Sequence, residues 1–349
     1  MAATFQNYSG GTFASDLITV PNFTAYLMQE VYERSAFVQS GVITRNSALD
    51  ASAGGVRTVV PGFIPPSPFE ERLDSTATWG DSGAGHLTPR KITANAGTAT
   101  LIHRGLSFAA DELSKQASGA DPMAAIMGYM STIINKNRTA TLLSHLKGVF
   151  GTALAGNTVD VSAGTGGAEY ITASAVIRAK SVLGERGEDL SVLAMHPNVY
   201  FHLESMGLLV FSTSALAPGN SVNWSGGGIG ITDTKVAYFA GLRVIIDSQL
   251  PVTGTGAATV YTSYLFGPGV VQEGVQQALE TRNDYNILSF QDVVSFRYSY
   301  GFHFMGSSWN AVGDNPTNLE LADKANFGLV WDRKLIPIVE LKCKSPYSG

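Results

Sequence analysis

The chain has 349 residues, a formal net charge of −5, 44% hydrophobic residues and only 15% charged ones, against about 25% charged in an average soluble protein. That balance argues against a dedicated nucleic-acid reader, which needs a basic patch to neutralise phosphates. The single cysteine, Cys343, excludes an intrachain disulfide and any cysteine-only metal site.

No run approaches the roughly 18 consecutive apolar residues of a membrane span. The start, "MAATFQNYSGG", has neither the basic residues nor the apolar stretch of a secretory signal. At about 150 residues per domain, the length fits two domains or one large elaborated domain. A surface poor in charge suits a chain later covered by partners, because obligate interfaces resemble a core cut in half. A large-cored monomeric enzyme has a similar composition, so composition leaves both open.

Residues 1–20 read as an extended polar arm. Asn22 or Thr24 can cap a helix running to about Ser40, with Leu27, Val31 and Val38 on one face and Gly41 as its stop. A strand begins near Val56. Residues 64–97 follow, rich in Pro, Gly, Ser, Thr and Asp and almost without apolar periodicity. Loops longer than about 15 residues are uncommon in compact domains and usually functional. The alternation in "TATLIHRGLSF" suggests a return strand. The stretch is therefore either a two-stranded β-excursion or an irregular surface loop. Residues 106–116 read as a short helix.

Asp121-Pro122 is a strong start signal, since Asp caps free N–H groups and Pro suits the first helical position. The helix it opens is expected to run to Gly148 or Gly151, roughly 40 Å. Met123, Ile126, Met127, Met130, Ile133, Ile134, Leu142, Leu143 and Leu146 form its apolar stripe. "NKNRTAT" interrupts that stripe, which suggests a wet or partner-facing stretch. A Gly-rich link leads to an α/β pattern. It comprises a helix at "ASAVIRAKSVLGERG", a buried strand at "LSVLAMH" and a helix at "PNVYFHLESMGL". After the loop "APGNSVNWSGGGIG" come strands at "KVAYFAGLRVIID", "ATVYTSYLFG" and "GVVQEGV". From Ile287, aromatic alternation predicts a long antiparallel strand pair, and "NFGLVWDRKLIPIVELKC" predicts a closing strand.

Catalytic motifs fail one by one. "GDSGAG", from Gly80 to Gly85, resembles a serine-protease nucleophile segment, but the first histidine, His86, follows Ser82, which is the wrong order. It reads as a turn. "SGGGIG" places Ile231 where a dinucleotide fingerprint needs its third glycine, and no helix pattern follows. No phosphate-loop or His-Glu-x-x-His pattern occurs. His196, His202 and Glu204 could hold zinc, yet scattered histidines more often cap helices or fill cores.

The order of these elements resembles the major capsid proteins of tailed double-stranded DNA phages, the Hong Kong 97-like fold. "YITASAVIRAKSVLGERGEDLSVLAMHPNVYFHL" looks like the start of that family's A-domain. The resemblance implies an α+β fold: an N-terminal arm and helix over 1–54, an E-loop β-excursion over 55–105, a P-domain with spine helix over 106–168, an A-domain over 169–284, and P-domain strands with a C-terminal strand over 285–349. Within the excursion, residues 63–95 would be the E-loop proper. Its contacts to neighbouring subunits would involve Phe63, Phe69, Glu70, Glu71, Arg72, Trp79, Arg90 and Lys91. The loop over 217–231, with Asn220, Asn223 and Trp224, would lie near the capsomer axis.

The implied function is assembly into pentamers and hexamers of an icosahedral shell around the genome. Such a protein is no enzyme and needs no cofactor or metal. Its home is the virion capsid, assembled in the host cytoplasm. Its partners would be copies of itself, a separate scaffolding protein, a portal protein, a cement or decoration protein, and DNA contacted weakly; no membrane is involved. Some members cross-link an E-loop Lys to an Asn of a neighbour. Lys91 with Asn310 or Asn315 has only residue type in its favour, so no cross-link is expected. No large cleaved propeptide is expected either. Two other readings are an encapsulin enclosing cargo enzymes and a soluble α/β hydrolase-type enzyme.

Overall fold

The computed structural model describes residues 42–50, 57–64, 93–113, 122–212 and 236–347. The expected helix after Asn22 lies outside them, as do the segments "GDSGAG", expected to be a turn, and "SGGGIG", expected to be part of a loop. The strands are β1 (Ile43–Arg45), β2 (Arg57–Ile64), β3 (Thr93–Thr100), β4 (Ile102–Asp111), β5 (Thr158–Asp160), β6 (Val192–Met195), β7 (Val210–Ser212), β8 (Val236–Phe239), β9 (Leu242–Ile246), β10 (Val252–Thr253), β11 (Val260–Phe266), β12 (Val271–Asn286), β13 (Gln291–Phe304), β14 (Ser307–Trp309), β15 (Phe327–Leu329) and β16 (Ile338–Cys343). The helices are α1 (Pro122–Gly151), α2 (Ala173–Ser181), α3 (Pro197–Ser205) and α4 (Asn318–Leu321).

The long rod is confirmed. α1 has 30 residues, about 45 Å of helix. It lies along the sheet β1-β12-β13-β4. β13 alternates, and its even residues Val294, Phe296, Tyr298, Tyr300, Phe302 and Phe304 share one buried cluster with Met130, Ile134, Leu142, Leu143 and Leu146 of α1. Period-2 alternation on the strand thus meets the helical stripe on the rod. "NKNRTAT" is wet only in part. Asn135 and Asn137 are exposed, while Thr139 and Thr141 are buried. Each threonine hydroxyl donates to the carbonyl four residues back, at 3.1 and 3.0 Å, so a polar residue sits in the core with its donor satisfied. Gly148 lets α1 approach α4: a Cβ there would stand 2.2 Å from the Leu321 carbonyl oxygen.

Three expectations change. Residues 106–111 are strand, not helix. β4 pairs with β13 from Ile102↔Tyr300 to Asp111↔Gln291, and Leu106 and Phe108 pack against the main core. Pairing along ten residues overrides the helical propensity of "FAADEL". The long strand pair also starts earlier: β13 pairs with β12, upstream of Ile287, through a turn at 287–290. Finally, "TATLIHRGLSF" is two strands, with Leu101 between β3, which pairs with β2, and β4, which pairs with β13.

The second sheet runs β5-β16-β11-β6-β9-β8-β7, with β10 beside β11. Both its faces are covered. Val192, Ala194, Ile245, Tyr264, Phe266 and Ile338 face the α1 core. Leu193, Met195, Val244, Leu265, Val339, Leu341 and Cys343 face a second core built with α2 and α3. Such doubly covered strands read as continuous apolar runs, as "SVLAM" does. The closing strand β16 sits between β5 and β11, inside the sheet begun by the 158–212 region. Thr172 caps α2, and the His196 ring nitrogen caps α3 ahead of Pro197. No helix among the described residues is long and apolar enough to cross a membrane.

Candidate assembly surfaces

Three regions bear on assembly: the root of the excursion, held by the subunit's own contacts, and two exposed apolar surfaces. The first is the root of the excursion. β2 and β3 pair from Arg57↔Thr100 to Ile64↔Thr93, so an antiparallel ribbon does leave the body. β3 rests on β14: the Thr98 N–H donates to Ser308 Oγ at 3.1 Å, and Asn95 Nδ2 donates to the Val330 carbonyl at 3.4 Å. Gly97 is required for this approach, because a Cβ would lie 2.8 Å from the Ser307 carbonyl oxygen. Phe63 lies on β2 opposite Ala94. Phe69, Glu70, Glu71, Arg72, Trp79, Arg90 and Lys91 fall outside the described residues, as do Asn220, Asn223 and Trp224. Sequence reasoning missed Arg57, which anchors the root on residues 312–314. No local signal could have found it, since its partners lie some 255 positions away.

The second surface is the tip of the β12–β13 hairpin. Ile287, Leu288, Phe290 and the adjoining Leu113 are 73, 75, 62 and 60% exposed. Phe290 holds a positive φ of 51°, unusual for a bulky residue. The Glu112 N–H donates to the Phe290 carbonyl at 3.0 Å, and the Tyr285 hydroxyl donates to Glu112 at 3.0 Å. Desolvation, then Glu112, Asp292 and Asp111, raise the Tyr285 hydroxyl above its ordinary value. The tip is therefore apolar and ringed by carboxylates. "NILSF" carried the signal in the sequence: a hairpin turn made of large apolar residues instead of Asn-Gly.

The third surface is the β7 edge of the second sheet. Val210, Phe211 and Tyr238 are exposed there, next to Met206 and Leu208. β7 has no outer neighbour among the described residues.

The interior offers no comparable chemistry. Arg138 of α1 pairs with Glu273 of β12 and lies 5.7 Å from the centroid of Tyr300, beside a cleft of about 100 Å³. Desolvation pushes the Tyr300 hydroxyl up to about 12, and burial does the same to the Cys343 thiol, which is inert as a nucleophile. His145 lies between Phe304 and Phe327, at 4.7 and 4.8 Å between ring centroids, and burial pulls it down to about 3. His303 is held at about 4 by the same cause. His196 and His202 pack on Tyr261 and Tyr170, and no metal-binding cluster occurs among the described residues. Asn310 and Asn315 both lie in the described region. The Asn315 side-chain oxygen accepts bonds from His103 and Arg104 of its own chain.

No family profile matches the chain. Among characterised proteins, it is 31% identical over 345 residues to the major capsid protein of Bacillus phage SPP1, across 95% of this chain and 98% of that one. The chain belongs to the phage major capsid proteins. Solved structures agree on the fold. The capsid of Ralstonia phage GP4 matches with a TM-score of 0.57 at 10% identity, over 100% of this chain and 99% of that one. A chain of Mycobacterium phage Che8 matches at 0.56 and 16% identity, over 92% and 96%. The head structure of Helicobacter pylori bacteriophage KHP40 matches at 0.55 and 8% identity, over 98% of each. This capsid protein has the Hong Kong 97-like fold, and its place is the virion shell. Neither an encapsulin nor a hydrolase is favoured by these relatives.

Proposed function

We propose that this capsid protein assembles with copies of itself into pentamers and hexamers that close an icosahedral shell around double-stranded DNA. The observation that carries the reading is the 31% identity to a phage major capsid protein across nearly the full length of both chains. The physical support is the exposed apolar tip of β12–β13, which gains stability only when another copy covers it. The working divisions are an N-terminal arm, an E-loop rooted on β2–β3, a P-domain around α1 and β12–β13, and an A-domain around the second sheet. The E-loop residues Phe69 to Lys91 contact a neighbour, and the loop with Asn220, Asn223 and Trp224 lines the capsomer axis. The role is structural, without catalysis. A separate scaffolding protein guides assembly, a portal protein occupies one vertex, and a decoration protein binds outside. The net charge of −5 keeps contact with the packaged DNA weak.

The test is electron microscopy of the purified chain, alone and coexpressed with its scaffolding protein. Shells or capsomer rings are the expected result. A monomer that associates under neither condition would overturn the reading.

A further inference from the structure

One loop grips the excursion root from two sides. Residues 312–316 join β14 to α4. Arg57, the first residue of β2, donates through Nε to Asp314 Oδ1 at 2.7 Å and through Nη2 to the carbonyls of Val312 and Gly313, the latter at 3.0 Å. On the other side, the Asn315 side-chain oxygen accepts from the His103 N–H at 2.9 Å and from Arg104 Nη1 at 3.1 Å, both on β4. Arg104 Nη2 donates to the Pro316 carbonyl at 2.7 Å. Asn315 holds a φ of 51°, a left-handed conformation that Asn adopts more readily than most residues.

The grip reaches the rod. Asn318 Oδ1 lies 3.2 Å from Thr141 Oγ1 of α1 and shares its single proton with the Asn137 carbonyl, and Thr141 in turn accepts from the Tyr300 hydroxyl of β13 at 3.1 Å. Arg104 Nη2 also donates to Asn318 Oδ1 at 3.4 Å, so hydrogen bonds run from β4 through Arg104 and Asn318 to the spine helix and the central strand. A two-stranded ribbon is marginal by itself, so its direction depends on what holds it. β3 continues into β4 through the single residue Leu101. A swing of the ribbon about Leu101 leaves that connection intact and must break the Arg57 contacts on the far strand.

We infer that Arg57 and the 312–316 loop form a latch that sets the angle at which the excursion leaves the subunit, and through that angle the geometry of the shell. The inference rests on the proposed assembly function. Arg57 and Asn315 are positioning residues. A lysine at position 57 keeps the charge but cannot reproduce a planar fork that meets three acceptors.

The experiment uses the full-length chain with Arg57→Ala, Arg57→Lys and Asp314→Asn. Hydrogen exchange is read in the unassembled subunit, and particle diameter in the assembled product. Arg57→Ala is expected to speed exchange of the β2–β3 amides about tenfold while leaving β12–β13 unchanged, because one charge-assisted cluster is lost locally. Its particles are expected to spread in diameter or remain open sheets, with Arg57→Lys intermediate. If Arg57→Ala does not fold, Asp314→Asn is read in the same way. Wild-type exchange in β2–β3, or wild-type diameters despite faster exchange, would overturn the latch. Absence of shells from the unaltered protein would instead count against the assembly reading, and the exchange comparison alone would then decide the latch.

Discussion

The β12–β13 hairpin and the β2–β3 ribbon are both long antiparallel pairs, yet different forces hold them. β13 is buried over most of its length between β4, β12 and α1, and its aromatic side chains fill the main core. The ribbon root touches the body through Arg57, Asn95, Thr98 and the bare backbone of Gly97. Burial of aromatic area is strong and non-directional, so it fixes a body. Hydrogen bonds at a half-exposed root are weaker and directional, so they fix an angle. In the assembly proposed above the two demands differ: the body must survive assembly, and the excursion must reach a neighbour at a set inclination. Disruption of the buried region should therefore cost stability, and disruption of the exposed regions should cost assembly.

The largest effect on the body is expected from acid. His145 and His303 are buried without charge, with values near 3 and 4 against an ordinary 6.5. Their main cause is burial, and for His145 the nearby His303 adds repulsion. The unfolded chain takes up these protons at higher pH than the folded one. Stability is therefore complete above about pH 6.5 and falls as pH drops towards 3. The shift of His145 alone corresponds to roughly 5 kcal/mol over that window. Denaturant titrations of the unassembled subunit at pH 7, 5 and 4 should show a falling midpoint. His145→Phe, which fits between Phe304 and Phe327, should flatten that fall. An unchanged slope in the variant would remove His145 from the account.

Next in size is a cavity in the rod. Leu146 is fully buried where α1 meets β13. Leu146→Ala should cost about 3 kcal/mol, within the range for core leucines. The measurement is the shift in denaturant midpoint at constant slope. A cost near zero would mean that the rod does not depend on this contact.

Much of this body was legible in the sequence. Asp121-Pro122 and the apolar stripe located α1, and alternating aromatics located β13. What was misread has separate causes. Residues 106–111 have helix-forming side chains, and only pairing with a strand almost two hundred positions away makes them β-structure. β12 is hidden differently: it adjoins Ile287 in sequence, but its glutamines and charges obscure its alternation. β16 reads as a closing strand and is one; only its place between β5 and β11 is invisible in the sequence. The latch was not legible at all: Arg57 and Asp314 stand 257 positions apart and each looks like an ordinary surface charge. The residues first suspected of intersubunit contact rest on family resemblance, since nothing in their own spacing pointed to a surface. The hairpin tip, in contrast, was written in "NILSF" and went unread as an interface, because large apolar residues in a turn look like part of the strand they interrupt.

The smallest effect on stability is expected at that tip, and the largest on assembly. Ile287 and Leu288 are exposed, so the folded subunit loses almost nothing when they become polar. The double variant Ile287→Ser, Leu288→Ser should shift stability by less than about 0.5 kcal/mol. Serine adds no charge to a tip already ringed by Asp111, Glu112 and Asp292, so any assembly defect reports lost apolar burial and not new repulsion. If another copy covers the tip, shell yield at a fixed protein concentration should fall at least tenfold, because a loss at each contact compounds over the whole shell. Wild-type shell yield from a normally folded double variant would place the subunit contacts elsewhere and leave the exposed apolar turn without a role in the shell.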